Sequence, residues 1–423
     1  MTKSIFAAFL WVVLILPMRA GCLVQPNDVV GITGDSITQA GIYPVYMKDY
    51  MLMCQPTSGQ SFFQSSNNGE QASDLLGRLN INIFPFRPTI LTTLYGMNDG
   101  HYGPITDDIA AAYRKSQTGL VETLKKNGVR VVVIGSPKCV DTYYYHRDHP
   151  GEAAAYNQTL AALAAIDKDV AAKENAVYAD VFDVTLDAMK RAKAKFGDSY
   201  QFAGPDGIHP QANCQLVLAF SLLKAMGYDG NIGTITVEPG LNQAEATSGH
   251  EIVSCQNGVV TVKSTRYPFC FQGAPDSTDQ QSTAATCSYF PEFNDQLNRF
   301  MLVVKGLRAA KAKVTWGNAT REYTADQLAK GINLAAEFLQ NPFADQFTQV
   351  NNSVLYPESQ QGAMLGTSFM PSFAIWGKVV FPGADDAFKT IINAGLAQHQ
   401  VLVKAAAALV VPVQYVIKIE PEN

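Results

Sequence analysis

Charge is scarce in this 423-residue sequence: Asp, Glu, Lys and Arg make up 16% of it, against about 25% in an average globular protein. With 47% of its residues hydrophobic, the chain is not a disordered, charge-rich one and has material for a large core. A basic excess is missing too. Lys plus Arg number 32 against 37 for Asp plus Glu, a net charge of -5, which leaves nothing to neutralise a phosphate backbone and argues against nucleic acid as a partner. Cysteines number seven, and no two form a Cys-x-x-Cys, so neither a zinc ribbon nor a thioredoxin-like redox pair is signalled. Cys270 and Cys287 lie close enough in sequence to close a loop. Spacing does not fix connectivity, and small buried hydrophobes are at least as good a reading for most of these thiols. Past the N-terminus no apolar run reaches the roughly 20 residues of a membrane span. Internal repeats and low-complexity tracts are absent as well.

What is present begins at the N-terminus. Lys3 precedes an unbroken apolar run from Ile5 to Leu16, followed by Pro17 and the small residues Ala20 and Gly21, the layout of a secretory signal peptide. Residues 1–22 are therefore expected to direct export, to a periplasmic, cell-surface or secreted location. Cys22 directly follows Ala20 and Gly21, as a modified cysteine follows its lipobox, so a lipid anchor at Cys22 is the alternative to plain cleavage. Arg19 departs from that pattern, which takes Leu or another small apolar residue there.

From residue 26 apolar strands alternate with helices. Strand patterns over 28–33, 60–66, 89–94, 129–134 and 177–182 interleave with helical ones over 43–54, 72–80, 106–126, 151–174, 183–195 and 211–226. Such alternation predicts a parallel sheet covered by helices on both faces, a doubly wound three-layer α/β/α domain over 26–228. After Gly230 the texture changes. Short apolar runs (Val259 to Val262, Phe300 to Val304, Ala312 to Trp316) stand between Gly, Asn and polar turns and predict a small antiparallel β-sandwich over 233–318. Residues 319–423 are expected to form a helical C-terminal region. It would hold a helix over 325–339 capped by Thr324, a long Ala-rich helix over 385–409, and a closing strand over 413–419; the apolar run 405–413 reads as a buried helix end.

Chemistry-bearing residues collect at the strand ends, where open parallel sheets build their sites. Gly34-Asp35-Ser36-Ile37-Thr38 follows the first strand, Asn67-Asn68-Gly69 the second, and Gly96-Met97-Asn98-Asp99 the third. Asp206-Gly207-Ile208-His209-Pro210 precedes the last helix of the domain. Such a set can transfer an acyl group to water. Ser36 would be the nucleophile and His209 its base; Asp206, three residues away, would fix the imidazole tautomer. The backbone N–H groups of Ser36 and Gly69 and the side-chain amide of Asn98 would give the oxyanion three donors. A helix starting at Ser36 would add the positive end of its dipole. Taken singly these signals are weak. A second Gly-Asp-Ser, at Gly197-Asp198-Ser199, follows a basic helical stretch and reads as a loop. Gly69 or Asn98 alone would be an ordinary turn residue, and Asp35 and Asp99 read as turn and cap residues. The weight lies in four clusters in order, each at a strand end or helix start.

At these four positions the sequence resembles the SGNH, or GDSL-type, hydrolase superfamily: Ser36 in Gly-Asp-Ser, Gly69 in Asn-x-Gly, Asn98 in Gly-x-Asn-Asp and His209 in Asp-x-x-His-Pro. Ile37 stands where the naming pattern has Leu. The resemblance covers about residues 26–228 and implies a flavodoxin-like domain, a Ser–His–Asp triad and the three-donor oxyanion hole. No Gly-x-Ser-x-Gly occurs, so the nucleophile elbow of ordinary α/β-hydrolases is missing. Exported members with an appended β-rich region look like carbohydrate de-O-acetylases or acyl esterases. The expected function is thus a serine esterase acting on O-acyl, preferably O-acetyl, esters of carbohydrates, with no metal or organic cofactor.

The aromatic stretch Tyr143, Tyr144, Tyr145 and His146 follows the fourth strand and is read as cleft lining with rings suited to stack on sugars. His146 and His149 have metal-like spacing but no accompanying carboxylate or cysteine signature. His101, two residues past Asp99, is placed near enough to touch substrate or face solvent; His250 and His399 have no chemical context. Two rivals stand beside the main reading: a lysophospholipase-like enzyme of the same mechanism, and a non-catalytic carbohydrate-binding protein on an SGNH scaffold. Oligomeric state and the role of 233–423 are not legible.

Overall fold

In the computed structural model residues 21–145, 153–355 and 385–422 are described; the signal-like segment up to residue 20, His146 and His149 lie outside them. Five parallel strands, β1 (Val29–Gly34), β2 (Ser61–Ser66), β3 (Ile90–Leu94), β4 (Val131–Gly135) and β5 (Val177–Ala179), form a sheet in the order β2-β1-β3-β4-β5. That is the flavodoxin-like order, with its switch point between β1 and β3. Every residue of β3 is buried, as expected of a strand covered on both faces. Helices α1 (Ser36–Gln39), α2 (Ile42–Asp49), α3 (Ala72–Asn82), α4 (Asp107–Lys126), α5 (Ala153–Lys173), α6 (Phe182–Phe196) and α7 (Ala212–Ala225) complete the expected α/β/α domain.

Two expected elements end early for local reasons. The helix expected over 43–54 leaves α geometry after Asp49 and continues as a π-turn, Tyr50–Cys54. The strand expected to reach 182 stops at Ala179. There the Ser136 hydroxyl accepts from the N–H groups of Val181 and Phe182, both at 3.0 Å, and α6 begins.

The rest of the chain departs further from the sequence expectation. A four-stranded sheet orders β13 (Ile332–Asn333), β10 (Arg299–Val304), β6 (Asn231–Glu238) and β7 (Gln243–Ala246). Its central pair, β6 and β10, is parallel, so this sheet is mixed. Parallel pairing needs a crossover, and helices α8 (Thr283–Tyr289) and α9 (Glu292–Leu297) lie within it. A second, antiparallel sheet orders β12 (Ala319–Thr324), β11 (Lys311–Trp316), β14 (Val413–Glu422), β9 (Val259–Ser264) and β8 (His250–Gln256). The last strand of the chain thus fills the middle of a sheet begun far earlier. The expected boundary at 318/319 cuts the β11–β12 hairpin, in which Trp316 faces Ala319. The helix expected over 325–339 is two short ones, α10 (Ala325–Lys330) and α11 (Leu334–Glu337), separated by Gly331 with φ +96°. Helices α12 (Ala344–Ser353) and α13 (Asp385–Ala408) follow. Within 405–413 only Ala406 is buried, Leu409 and Val411 being exposed, so that run is not the buried end expected.

The two portions share one core. The face of α7 is buried along nearly its whole length, and Phe220 meets Phe290 edge-on at 4.9 Å. Tyr50 donates to the Leu297 carbonyl at 2.8 Å and the Tyr267 N–H to that of Met53 at 2.8 Å. His399, without context in the sequence, donates from Nε2 to the Phe62 carbonyl at 2.7 Å, so α13 covers the otherwise open edge of β2. All seven cysteines are free thiols, Cys270 and Cys287 included.

Candidate active site

The carboxyl ends of β1, β2 and β3 and the loop before α7 meet at one rim of the parallel sheet. Asp35 starts the sequence of turns: its side chain accepts from the Ile37 N–H at 2.9 Å and caps α1, leaving Ser36 as the first helical residue. A residue at that position has an N–H with no intrahelical acceptor. Because α1 is four residues long, this free N–H matters more than the dipole the sequence suggested.

Ser36 and His209 are far apart in sequence and in contact in space. Ser36 Oγ lies 2.9 Å from His209 Nε2, and His209 Nδ1 lies 2.6 Å from Asp206 Oδ2. The other oxygen of Asp206 accepts from the Ile208 and His209 N–H groups at 2.9 and 2.8 Å, fixing the loop that carries the imidazole. Gly204 holds this loop close. It has φ +88°, and a Cβ on it would fall 1.9 Å from the His209 carbonyl oxygen.

Gly69 is the third residue of a turn closed by the Glu70 N–H on the Asn67 carbonyl at 3.4 Å. Behind the turn a buried ion pair anchors it. Arg78 grips both Glu70 oxygens, its Nη2 donating to Oε2 at 2.6 Å, and Tyr95 donates to Oε2 at 2.8 Å. The Glu70 carbonyl accepts from Asn98 Nδ2 at 3.0 Å, so the Gly69 turn and Asn98 are tied together. Asp99 accepts from the Ala72 and Gly96 N–H groups, both at 3.0 Å, joining the end of β3 to the start of α3. Sequence reasoning found no role for Glu70, Arg78 or Tyr95, whose types and spacing carry no motif.

The three aspartates near the rim differ in state. Burial raises Asp35 to about 7 against the opposing Ile37 N–H, and raises Asp99 to about 6 against its backbone donors. Burial also acts upward on half-exposed Asp206, but hydrogen bonds from the N–H and ring of His209 and from Ile208 outweigh it and hold the carboxyl down at about 2. The carboxylate that touches the imidazole is therefore ionised throughout the neutral range, the state needed to orient an imidazole and stabilise an imidazolium.

Ser36, Gly69, Asn98 and His209 line an open cleft of about 690 Å³ together with Gln39, Ala40, Asn68 and Tyr102. Of the aromatic stretch expected to line it, the described residues Tyr143, Tyr144 and Tyr145 do not. Tyr145 is buried, stacked on Tyr156. Tyr144 donates to the Ser199 carbonyl at 2.5 Å, and the exposed Tyr143 ring lies under the Lys193 ammonium, 5.2 Å away. His101 is exposed and outside the lining. Tyr102, unmarked by any sequence signal, takes the aromatic place.

A parallel α/β sheet that gathers a serine hydroxyl, an imidazole and an ionised carboxylate at its rim has the architecture of an ester-cleaving hydrolase. Residues 32–214, somewhat under half of the chain, match the family model described as GDSL-like Lipase/Acylhydrolase family; the segment is similar to that family, and the chain is a carboxylic ester hydrolase. Among solved structures it is similar to a gut microbial diltiazem-metabolizing enzyme, with 21% identity and a TM-score of 0.72 over 95% of this chain and 100% of that one. The likeness is one of fold, and it spans both portions. An alpha/beta hydrolase from the metagenome of Lake Arreo, Spain (20% identity, 49% of this chain and 98% of that one, TM-score 0.41) matches about half the chain. An acetylxylan esterase from Geobacillus stearothermophilus (17% identity, 48% and 96%, TM-score 0.36) does likewise. Among curated proteins none matches.

Proposed function

We propose that this acyl-ester hydrolase is an exported serine esterase of short O-acyl esters on carbohydrates, with Ser36, His209 and Asp206 as its triad. The observation that carries the reading is the line of contacts from Ser36 Oγ through the imidazole to Asp206, at 2.9 and 2.6 Å. His209 Nε2 takes the Ser36 proton as Oγ attacks the ester carbonyl, and Asp206 steadies the imidazolium that forms. The carbonyl oxygen becomes an oxyanion, stabilised by the Ser36 and Gly69 N–H groups and the Asn98 amide. His209 then protonates the departing sugar alkoxide. Water, deprotonated by the same imidazole, attacks the acyl-serine, and the acid leaves as Ser36 recovers its proton.

A carbohydrate ester is favoured by the cleft, which is open and edged by Gln39, Asn68 and Asn98. Polar side chains suit a hydroxyl-rich leaving group better than a long acyl chain, whose binding would need a deep apolar channel. Export is favoured by the apolar run after Lys3. Cys22, the proposed site of lipid attachment if the chain is anchored, is exposed one residue before Leu23, whose N–H bonds the Met226 carbonyl at 2.9 Å.

The test pairs two assays on the purified full chain. Hydrolysis of p-nitrophenyl esters should be fastest for acetate and fall with acyl length, and acetylated polysaccharide should release acetate. Preference for long acyl chains would replace the carbohydrate reading with the lipid one. Absence of hydrolysis on every ester and glycan would make the protein a binding scaffold.

A further inference from the structure

We propose that Tyr102 is a positioning residue of the oxyanion hole, acting through the carboxamide of Asn98; the inference rests on the esterase site proposed above. Two groups fix that carboxamide. Nδ2 donates to the Glu70 carbonyl at 3.0 Å, and Oδ1 faces the Tyr102 hydroxyl at 2.6 Å; the second Nδ2 hydrogen has only a long contact, 3.4 Å to Asp35 Oδ2, and is the one an oxyanion would take. The Glu70 carbonyl can only accept, so the NH2 belongs on its side, and the phenol is the donor that meets the oxygen. A donor on the amide oxygen draws electron density from the nitrogen and makes its N–H groups more positive. It also holds the amide plane before any substrate arrives, and such preorganisation is what gives oxyanion donors their effect.

The backbone that delivers Tyr102 is strained. His101 and Tyr102 are consecutive non-glycine residues with φ +52° and +59°, a left-handed conformation that side chains rarely adopt. Their surroundings hold them there. Tyr145 donates to the Tyr102 carbonyl at 3.1 Å, and Thr159 to that of Gly103 at 2.8 Å. Tyr156 donates to the Met97 carbonyl, and its ring lies 5.4 Å from that of Tyr102 and 5.7 Å from that of Tyr145. Strain kept in place by several independent contacts beside a reactive serine is strain with a use. Tyr145 gains a role different from the one its sequence suggested: it supports Tyr102 from behind.

Wild type, Tyr102→Phe, Asn98→Ala and the double variant are compared on p-nitrophenyl acetate, with thermal unfolding recorded for each. Tyr102→Phe should lower kcat about five- to tenfold, the effect of one hydrogen bond, with KM nearly unchanged. In the Asn98→Ala background the same substitution should change nothing further. Three results overturn the proposal: a rise in KM at constant kcat, which makes Tyr102 a substrate contact; losses that add in the double variant; or unaltered kinetics. Should Tyr102→Phe fail to fold, Tyr145→Phe carries the test, with a smaller kcat loss that disappears when Asn98 is Ala and overturns the proposal if it persists or never appears. An inactive wild type would bring down the site reading and this inference with it, whereas an active wild type with an indifferent Tyr102→Phe sinks the inference alone.

Discussion

Gly-Asp-Ser occurs twice in this chain, and the two copies differ in everything except their residues. Gly34-Asp35-Ser36 ends a buried strand. Its aspartate is 1% exposed and caps a helix, and its serine meets His209. Gly197-Asp198-Ser199 follows α6, and all three residues are exposed. Its aspartate carbonyl accepts from Lys193 at 2.5 Å and its serine carbonyl from Tyr144 at 2.5 Å, which are contacts of a surface loop. A serine hydroxyl is a poor nucleophile at neutral pH until a base is placed against it. The parallel sheet places an imidazole against one copy only.

The contrast can be broken most directly at its strong end. Ser36→Ala should lower kcat for ester hydrolysis roughly 10⁶-fold, as removal of a triad nucleophile does elsewhere, with thermal unfolding unchanged. Activity retained within tenfold would mean that the first copy is as structural as the second. Asn98→Ala, which removes one proposed oxyanion donor, should cost about 10²–10³-fold in kcat, measured on the same ester.

The aspartate of the first copy should show its burial through pH. With Asp35 at about 7 and Asp99 at about 6, the folded protein holds protons that the unfolded chain has released between about pH 4 and 7. Stability therefore falls as pH rises through that window. Asp35→Asn keeps a side chain able to cap and removes one of these protons, so the fall should flatten by up to about 4 kcal/mol. Denaturant midpoints for both proteins at the two ends of the window check this, and an undiminished slope would contradict the buried state of Asp35. The smallest effect belongs to the second copy: Ser199→Ala should leave kcat and KM unchanged within twofold.

The parallel half was largely legible in the sequence because its strands are short apolar runs bounded by turns and its helices carry caps. Thr106, for example, accepts from the Ile109 N–H at 3.2 Å at the start of α4. Motif residues at strand ends then fell together by topology. The later half was less legible because its pairings are long-range: β14 lies between β9 and β11, and nothing local in Val413–Glu422 names those partners. Around the site, Ser36, Gly69, Asn98 and His209 stood in recognisable spacing. Tyr102 reaches the rim through a left-handed backbone, and Glu70 and Arg78 anchor the Gly69 turn by buried pairing, none of which has a period. The stretch Tyr143 to Tyr145 suggested ring faces in the cleft, but composition does not say which way a ring points.

Covalent labelling tests the central claim most directly. The folded protein is treated with a serine-reactive fluorophosphonate, and the modified peptide is located by mass spectrometry. One adduct on Ser36, absent in Ser36→Ala and formed far more slowly in His209→Ala, is the predicted result. An adduct on Ser199 or any other serine, or ester hydrolysis that continues with Ser36 unlabelled, would contradict it.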